Sequence, residues 1–442
     1  MTSALRLDEL GSERLSARDK GLPARAVGMT VAEFLASGPR LSEFWTPIVA
    51  LDSEALENNV AVMAEWTRAR GFELMPHGKT TMAPALWQRQ LAAGCLGITL
   101  ATMGQVRTAR SFGLGSIMLA NSVVDERSLR YLGGELADPE FRFVCWADSV
   151  ETIEAMERAL RQAGTPRPVD VCVELGAVGG RTGARSVGEA VEVAKRAAAS
   201  DVVRLAGVSG YEGSLAHDRT ESSLEAVRAY LRAQVELHEA LGGLYDDDGD
   251  LYVTAGGSAY FDVVAEVYRD AMRADSRTLW TLRSGAYITH DDGFYRQISP
   301  LDEGARTTAG SADSGEAGSG STGSGRLRSA IRGIARVVSH PERGLALLDG
   351  GKRDFPFDEG LPIPRLTAAD LGGEWDVLED ASILAMNDQH SYLGLGKQDV
   401  ALGSVVSLGL SHPCTAFDKW HYLPVVESQG SDRVVELVRT YF

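Results

Sequence analysis

The chain has 442 residues, 44% of them hydrophobic, and its 44 Lys and Arg against 61 Asp and Glu give a formal net charge of −17. This apolar content excludes intrinsic disorder of the whole chain, and the length suffices for one large domain and a smaller one. The acidic surface repels phosphate backbones and anionic headgroups, so we expect neither a nucleic acid nor a membrane as partner.

Targeting signals and cysteine usage both favour a cytoplasmic protein. No stretch approaches the roughly 20 apolar residues that cross a bilayer, and the N-terminus mixes charges where a signal peptide needs an apolar core. Cys95, Cys145 and Cys172 lie in apolar runs, where we expect small buried side chains rather than disulfides. Cys414 lies in a different context, described below.

The N-terminal part of the chain divides into an extension, residues 1–45, and a strand and helix over 46–70. The strand is predicted in TPIVALD. In the following segment, SEALENNVAVMAEWTRARG, Ser53 is the predicted N-cap, with acidic residues in the first turn.

Residues 71–300 alternate short apolar runs with segments of helical spacing. Near-continuous apolar strands followed by helices indicate a parallel sheet covered on its outside. We therefore predict a (β/α)8 barrel, with a doubly wound sheet as the second choice. The eight predicted strands are FELMPH, GITLAT, SIMLAN, FRFVCWA, VDVCVEL, VRLAGVSG, LYVTAG and TLWTLRSG.

The barrel is followed by a Gly- and Ser-rich segment, residues 302–325, which lacks apolar bulk and is predicted to be a flexible surface insertion. Residues 327–442 then contain short β-rich runs such as IARVVSH, LALLDGG and SVVSLGL, which predict a C-terminal domain that is mainly β. A helical window is expected only in the closing SDRVVELVRTYF.

The first barrel strand ends in Pro76-His77-Gly78-Lys79-Thr80. Side chains at the C-terminal ends of barrel strands point into the site that this architecture uses for catalysis. A lysine there would be partly desolvated, which lowers its pKa and frees the neutral amine for Schiff-base formation.

Two glycine-rich loops follow the last two barrel strands, where barrels commonly hold a phosphate. The first contains Thr254, Gly256, Gly257 and Ser258 and leads into a helix, whose N-terminus favours anions. The second is Arg283-Ser284-Gly285-Ala286-Tyr287, whose small residues allow close backbone approach. A lysine after strand one and a phosphate cup after strands seven and eight together predict pyridoxal 5'-phosphate (PLP) as the cofactor.

From about residue 45 the chain resembles the fold-type III PLP enzymes, in the branch of D-threonine aldolases and zinc-dependent, eukaryotic-type D-serine dehydratases. The resemblance is carried by Pro-His-Gly-Lys-Thr, by ELGAVGGRTG and by GVSGYEG. It implies that Lys79 binds PLP, that Arg181 lies near the pyridine ring, and that Tyr211 and His217 belong to the site. It also implies a homodimer in which the β domain of one subunit completes the site of the other.

A second chemical motif, Ser411-His412-Pro413-Cys414-Thr415, lies in the β domain. In an extended segment His412 and Cys414 project to one face and can share a metal, with coordination positions left open for catalysis. The family places a divalent metal here, and a thiolate favours zinc. The resemblance also suggests a role for His390, although the residues before it depart from the family pattern.

These residues predict a PLP- and metal-dependent lyase for D-3-hydroxy amino acids. The preferred reaction is D-serine dehydration to pyruvate and ammonia, in which Lys79 removes the Cα proton and the metal assists departure of the hydroxyl. The alternative is retro-aldol cleavage of D-threonine to glycine and acetaldehyde, with His217 or a metal-bound hydroxide as the base. A racemase and a non-catalytic PLP carrier are weaker alternatives, because neither has a use for the metal pair.

Overall fold

The structure is a computed structural model, and it describes residues 4–302 and 325–442. The predicted insertion at 302–325 lies outside the described residues except for its two end positions.

Helices and strands alternate through the first two thirds of the chain, and strands dominate the rest. The helices are α1 Asp8–Ser12, α2 Val31–Ala36, α3 Ser53–Arg68, α4 Pro84–Ala92, α5 Met103–Ser111, α6 Glu126–Glu135, α7 Val150–Ala163, α8 Val187–Ala198, α9 Glu221–Ala240, α10 Phe261–Ala274 and α11 Phe294–Ile298. The strands before the insertion are β1 Ile48–Asp52, β2 Glu73–Leu74, β3 Ile98–Leu100, β4 Ser116–Leu119, β5 Arg142–Ala147, β6 Val169–Leu175, β7 Val203–Gly210, β8 Leu251–Ala255 and β9 Thr278–Leu282. Those after it are β10 Ile331–Glu342, β11 Leu345–Leu348, β12 Ile363–Ala368, β13 Asp376–Val377, β14 Ser382–Met386, β15 Ser391–Gly394, β16 Val405–Gly409, β17 Tyr422–Val426 and β18 Val434–Arg439.

Strands β2 to β9 form one parallel eight-stranded sheet in the order β2-β9-β8-β7-β6-β5-β4-β3. The sheet closes because a parallel bridge joins His77, beyond β2, to Thr99 in β3. The predicted (β/α)8 fold is confirmed, and each of the eight predicted apolar runs contains a strand. Side chains inside the barrel form a separate apolar cluster that includes Met118, Trp146 and Cys172.

The remaining strands form antiparallel β structure built mainly from residues after the insertion. Strand β1 joins it: Ile48 to Leu51 pair antiparallel with β10, and Leu51 and Asp52 pair parallel with β17. The chain therefore starts in the C-terminal sheet, enters the barrel through α3, and returns to the same sheet after the barrel.

Two local predictions were wrong. The N-cap of α3 is Asp52, whose carboxylate accepts the Ala55 N–H, and Ser53 is the first helical residue. The closing segment forms β18, antiparallel to β17, rather than a helix. Its β-branched Val434 and Val438 are buried against the sheet, and this pairing outweighs the helical spacing.

The described part of the N-terminal extension packs against both domains. Arg6 N–H donates to the Phe112 carbonyl of the barrel, and Glu13 accepts hydrogen bonds from the hydroxyls of Tyr422 and Tyr441 at 2.7 Å each. None of the described helices has the length and apolar character to span a membrane.

Candidate active site

One cavity opens between the C-terminal ends of the barrel strands and the C-terminal domain, with a volume of about 140 Å³. It brings together residues that are more than 300 positions apart in the sequence. Its lining residues are His77, Lys79, Thr80, Ala101, Ala120, Trp146, Arg181, Tyr211, Gly257, Ser258, Arg283, Ser284, Gly285, Ala286, Tyr295, His412 and Cys414.

Lys79 reaches this cavity from a short 3-10 helix, Gly78–Thr80, just after β2. Gly78 has to be glycine, because a Cβ there would collide with the side chains of Ile98 and Trp87. The Gly78 carbonyl accepts a hydrogen bond from the Trp87 indole at 3.1 Å, which fixes the turn. The close approach of this turn to β3 aims Lys79 into the site.

His77 and Arg283 line the cavity, and each has one buried nitrogen that lacks a partner among the described residues. Among the described residues, no hydrogen bond reaches the buried His77 Nδ1 or Arg283 Nε. Burial lowers the pKa of His77 well below its usual value, and the charges of Lys79, Arg283 and Arg181 lower it further. His77 is therefore a neutral imidazole among three cations.

Arg283 begins the second predicted glycine-rich loop, but no role in the site was predicted for its side chain. It is 1% exposed, its guanidinium lies 4.8 Å from the centre of the Trp146 ring, and it donates to Thr254 Oγ1 at 2.6 Å and to the Gly210 carbonyl at 2.5 Å. Thr254 thus serves Arg283 and does not line the cavity. No spacing signal reveals Arg283, because its partners lie on β7 and β8.

Arg181 and Tyr211 meet at the rim of the cavity, where the Arg181 guanidinium is 5.7 Å from the Tyr211 ring centre. Burial raises the pKa of Tyr211 to about 12, with a further contribution from Glu212, so the phenol is neutral. Tyr230 fixes the backbone below them: its hydroxyl accepts the Tyr211 N–H at 3.0 Å and donates to the Leu175 carbonyl at 2.5 Å.

The two glycine-rich loops contribute to the cavity only in part. Gly257, Ser258, Gly285 and Ala286 line it. The Ser258 hydroxyl accepts the Ala286 N–H at 3.3 Å, and this bond ties the loops together.

The structure does not bring Gly256 or Tyr287 into the lining. Gly256 donates its N–H to Glu212, and the Tyr287 hydroxyl accepts from the Gln90 side chain at 3.1 Å. His217 and His390 are exposed and lie outside the cavity lining.

His412 and Cys414 both line the cavity, but the local prediction of an extended segment was wrong. His412 has a left-handed backbone with φ 59°, and Pro413–Thr415 form a 3-10 helix. The buried Asp291 carboxylate stabilises this turn by accepting the His412 N–H at 2.9 Å. The turn, rather than strand alternation, puts the two side chains on one wall.

The partners of the pair suit metal ligation. Asp358 accepts from His412 Nδ1 at 2.7 Å, which leaves Nε2 available as a ligand, and Thr80 Oγ1 lies 3.3 Å from Cys414 Sγ. Burial lowers the pKa of His412, but hydrogen bonding and charge from Cys414 and Asp358 outweigh it and raise the pKa to about 9. Within residues 4–302 and 325–442, no group of three or more His, Cys, Asp or Glu side chains forms a complete metal site.

The residues present fit PLP. Three cationic side chains, Lys79, Arg181 and Arg283, line a cavity to which none of the described Asp or Glu side chains contributes. The unpartnered His77 and Arg283 nitrogens offer polar contacts, and a Cβ at Gly285 would lie 2.6 Å from the His77 backbone, so only glycine fits that wall. An anionic, aromatic cofactor satisfies this surplus of positive charge.

Comparison with protein families gives two matches along the chain. The family model described as the alanine racemase N-terminal domain matches residues 51–260, and the one described as a putative serine dehydratase domain matches residues 330–426.

Curated relatives cover most of the chain. A D-threonine aldolase from Arthrobacter sp is 28% identical over 406 residues, which is 90% of this chain and 92% of that protein. A 3-hydroxy-D-aspartate aldolase from Paracoccus denitrificans (strain Pd 1222) is 26% identical over 360 residues, covering 79% and 84%.

Solved structures share the fold. The D-threonine aldolase from Filomicrobium marinum superposes with a TM-score of 0.73 at 22% identity, covering 91% of this chain and 96% of that one. The D-threo-3-hydroxyaspartate dehydratase from Delftia sp. HT23 gives a TM-score of 0.68 at 21% identity, covering 91% and 99%.

Proposed function

Because the chain belongs to the fold-type III PLP enzymes that join an alanine racemase N-terminal domain to a serine dehydratase domain, we propose that it is a metal-dependent lyase for D-3-hydroxy amino acids. One observation carries this proposal: Lys79 from the barrel and the pair His412 and Cys414 from the β domain line the same cavity. A racemase has no use for this pair.

Lys79 is the residue proposed to hold PLP and to move a proton at Cα. When bound, PLP supplies an electron sink for a bond broken at Cα of the amino acid. The protein side chains have to determine which bond at Cα is broken, and they have to exclude water from the site. Ser258, Gly285 and Ala286 would hold the phosphate, and Arg181 and Tyr211, at the rim of the cavity, would contact the ring.

His412 and Cys414 are the residues proposed to hold zinc. Imidazole and thiolate ligands favour zinc over magnesium or manganese, and a metal at this place would supply Lewis-acid activation of the β-hydroxyl. Asp358 fixes the His412 ring through Nδ1. Thr80 contacts Cys414 and directly follows Lys79 in the sequence. This contact links Lys79, the proposed base, to Cys414, a proposed metal ligand.

Dehydration of D-serine to pyruvate and ammonia is the specific reaction that we propose. The thiolate ligand at Cys414 supports it, because the softer donor set favours zinc as the Lewis acid for hydroxyl departure. Among the solved structures with this fold, a cysteine variant of D-threo-3-hydroxyaspartate dehydratase is described in a metal-free form, which supports a metal in the proposed reaction.

Aldol cleavage of D-threonine to glycine and acetaldehyde is the second candidate. It is supported by the relatives, since the D-threonine aldolase matches 90% of the chain. The exposed His217 lies outside the cavity lining, so the structure lends no support to its proposed role as the base.

A substrate panel separates the two reactions. The purified protein, loaded with PLP and zinc, is incubated with D-serine, D-threonine and D-threo-3-hydroxyaspartate, with L-serine as the control. Pyruvate from D-serine supports dehydration, whereas acetaldehyde from D-threonine without pyruvate from D-serine assigns aldol cleavage. If none of the D-substrates gives a product, the lyase proposal is contradicted.

We also propose a homodimer, on the family resemblance. Light scattering should then give about twice the chain mass of 47.3 kDa.

A further inference from the structure

Glu212 is a fully buried carboxylate just behind the glycine-rich wall of the site. It is the first residue of a short 3-10 helix, Glu212–Ser214, that follows β7, and it is 0% exposed. Its Oε2 accepts the Gly256 N–H at 3.0 Å and its Oε1 accepts the Gly257 N–H at 2.6 Å. Two successive backbone N–H groups form an anion-binding concavity. Here the protein's own carboxylate fills it.

This contact changes which groups remain for a phosphate. Gly256 and Gly257 were predicted to bind the phosphate, but both of their N–H groups are bonded to Glu212. The carbonyls of the same two glycines accept the Ser284 hydroxyl at 3.1 Å each. The turn is therefore held from both sides, by a carboxylate behind it and by the second loop beside it.

Gly257 and Ser284 also line the cavity, but the lining groups outside the clamped contacts lie one residue further along each loop. Ser258 follows the clamped turn, and Gly285 and Ala286 follow Ser284. Ser258 and Ala286 are already within 3.3 Å of each other, so they form one cup. Its shape depends on the Gly256-Gly257 turn, which has φ 87° at Gly256, where an added Cβ would also collide with the Leu282 side chain.

We propose that Glu212 is a positioning residue for the cofactor phosphate: it holds the Gly256-Gly257 turn so that Ser258, Gly285 and Ala286 receive the phosphate monoester. The inference rests on the proposed PLP-dependent function. Glu212 acts through the turn, and it also supplies a negative charge near the buried Arg283, which none of the described carboxylates contacts directly.

The test compares PLP with pyridoxal, which has the same ring and aldehyde but no phosphate. Dissociation constants are measured by absorbance for the wild type, for Glu212→Gln, and for Glu221→Gln as a control on the exposed start of α9. Glutamine keeps the size of the side chain but places an NH2 against one of the two amides. Loss of a charge-assisted hydrogen bond predicts about tenfold weaker binding of PLP.

Pyridoxal binding should change less than about twofold in Glu212→Gln, because the ring contacts are untouched. Equal weakening of both ligands would overturn the proposal, since a general structural defect has that effect, and so would unchanged or tighter PLP binding. If Glu212→Gln fails to fold, Glu212→Asp reaches only one amide and is expected to give a smaller loss that is still specific for PLP. If the chain is not a PLP enzyme, the wild type binds neither ligand, so that failure is distinguished at the first measurement.

Discussion

Lys79 enters the site through the close packing of its neighbour Gly78 against β3, and no other described lysine lines the cavity. The Lys79→Ala variant is expected to lose the visible absorption band of lysine-bound PLP and to lose lyase activity by at least about a thousandfold. Lys352→Ala, on the exposed surface, is the control and should keep both. A retained band in Lys79→Ala would show that another amine holds the cofactor.

Gly285 is important for the shape of the cavity because it has no side chain. An added Cβ would lie 2.6 Å from both the Cβ and the backbone oxygen of His77, which real contacts do not tolerate. Gly285→Ala should therefore push the loop that contains Gly285 away from His77 and weaken PLP binding by about tenfold or more, measured by absorbance titration. Gly243→Ala, where nothing lies within 4 Å of the added Cβ, should leave the binding unchanged.

Whether a site residue could be predicted depends on how far away in the sequence its partners lie. Lys79, His412 and Cys414 were predicted because each lies in a short motif, and the neighbouring residues of that motif indicate its chemistry. No role was predicted for Arg283 or Glu212, because their partners come from other segments, such as Thr254 for Arg283 and Gly256 for Glu212. A pattern along one segment carries no information about such contacts.

At the scale of elements, the barrel strands were predictable because strands buried on both faces are apolar throughout. Elements whose structure depends on contacts with distant segments could not be predicted from the sequence. Strand β18 has a helical spacing but pairs with β17, and the turn at His412 is set by the distant Asp291 carboxylate. Asp52 caps α3 in place of Ser53 because the strand geometry of β1 brings its side chain over the first turn.

The junction of α9 with β9, at the bottom of the barrel, gives a prediction for acid stability. Burial raises the pKa of Asp275, but hydrogen bonds from Thr278, His238 and the Arg277 backbone outweigh it and leave the pKa at about 2. A carboxyl whose folded pKa is depressed stabilises the fold above its unfolded pKa of about 4, and this stability is lost as the pH falls toward 2.

Asp275→Asn should therefore lower the free energy of unfolding by about 1 kcal/mol at pH 7. Its difference from the wild type should shrink as the pH falls below about 4. Urea unfolding at pH 7, 5 and 3.5 measures this. Asp270→Asn, on the exposed face of α10, is the control. A difference that stays constant with pH would contradict the assigned role of the carboxylate.

At the scale of the whole molecule, the active-site cavity exists only when the two domains are held together. The N-terminal segment helps to hold the domains together. Glu13 accepts hydrogen bonds from Tyr422 and Tyr441 of the C-terminal domain, and the Arg6 N–H donates to the Phe112 carbonyl of the barrel. Glu13→Ala leaves both hydroxyls without their acceptor and should lower the stability by about 2 kcal/mol, seen as a lower unfolding temperature. Glu9→Ala, exposed on α1, should have no effect; equal shifts for both would contradict this role.

In the proposed function, Lys79 and the pair His412 and Cys414 act in one metal-dependent site. The most direct measurement is the lyase rate on the D-3-hydroxy amino acid that the chain turns over fastest, before and after a chelator and again after zinc is restored. We predict a loss of at least about tenfold with the chelator, recovery with zinc, and no recovery in Cys414→Ala. Full activity in the presence of the chelator, together with full activity of Cys414→Ala, would contradict the account.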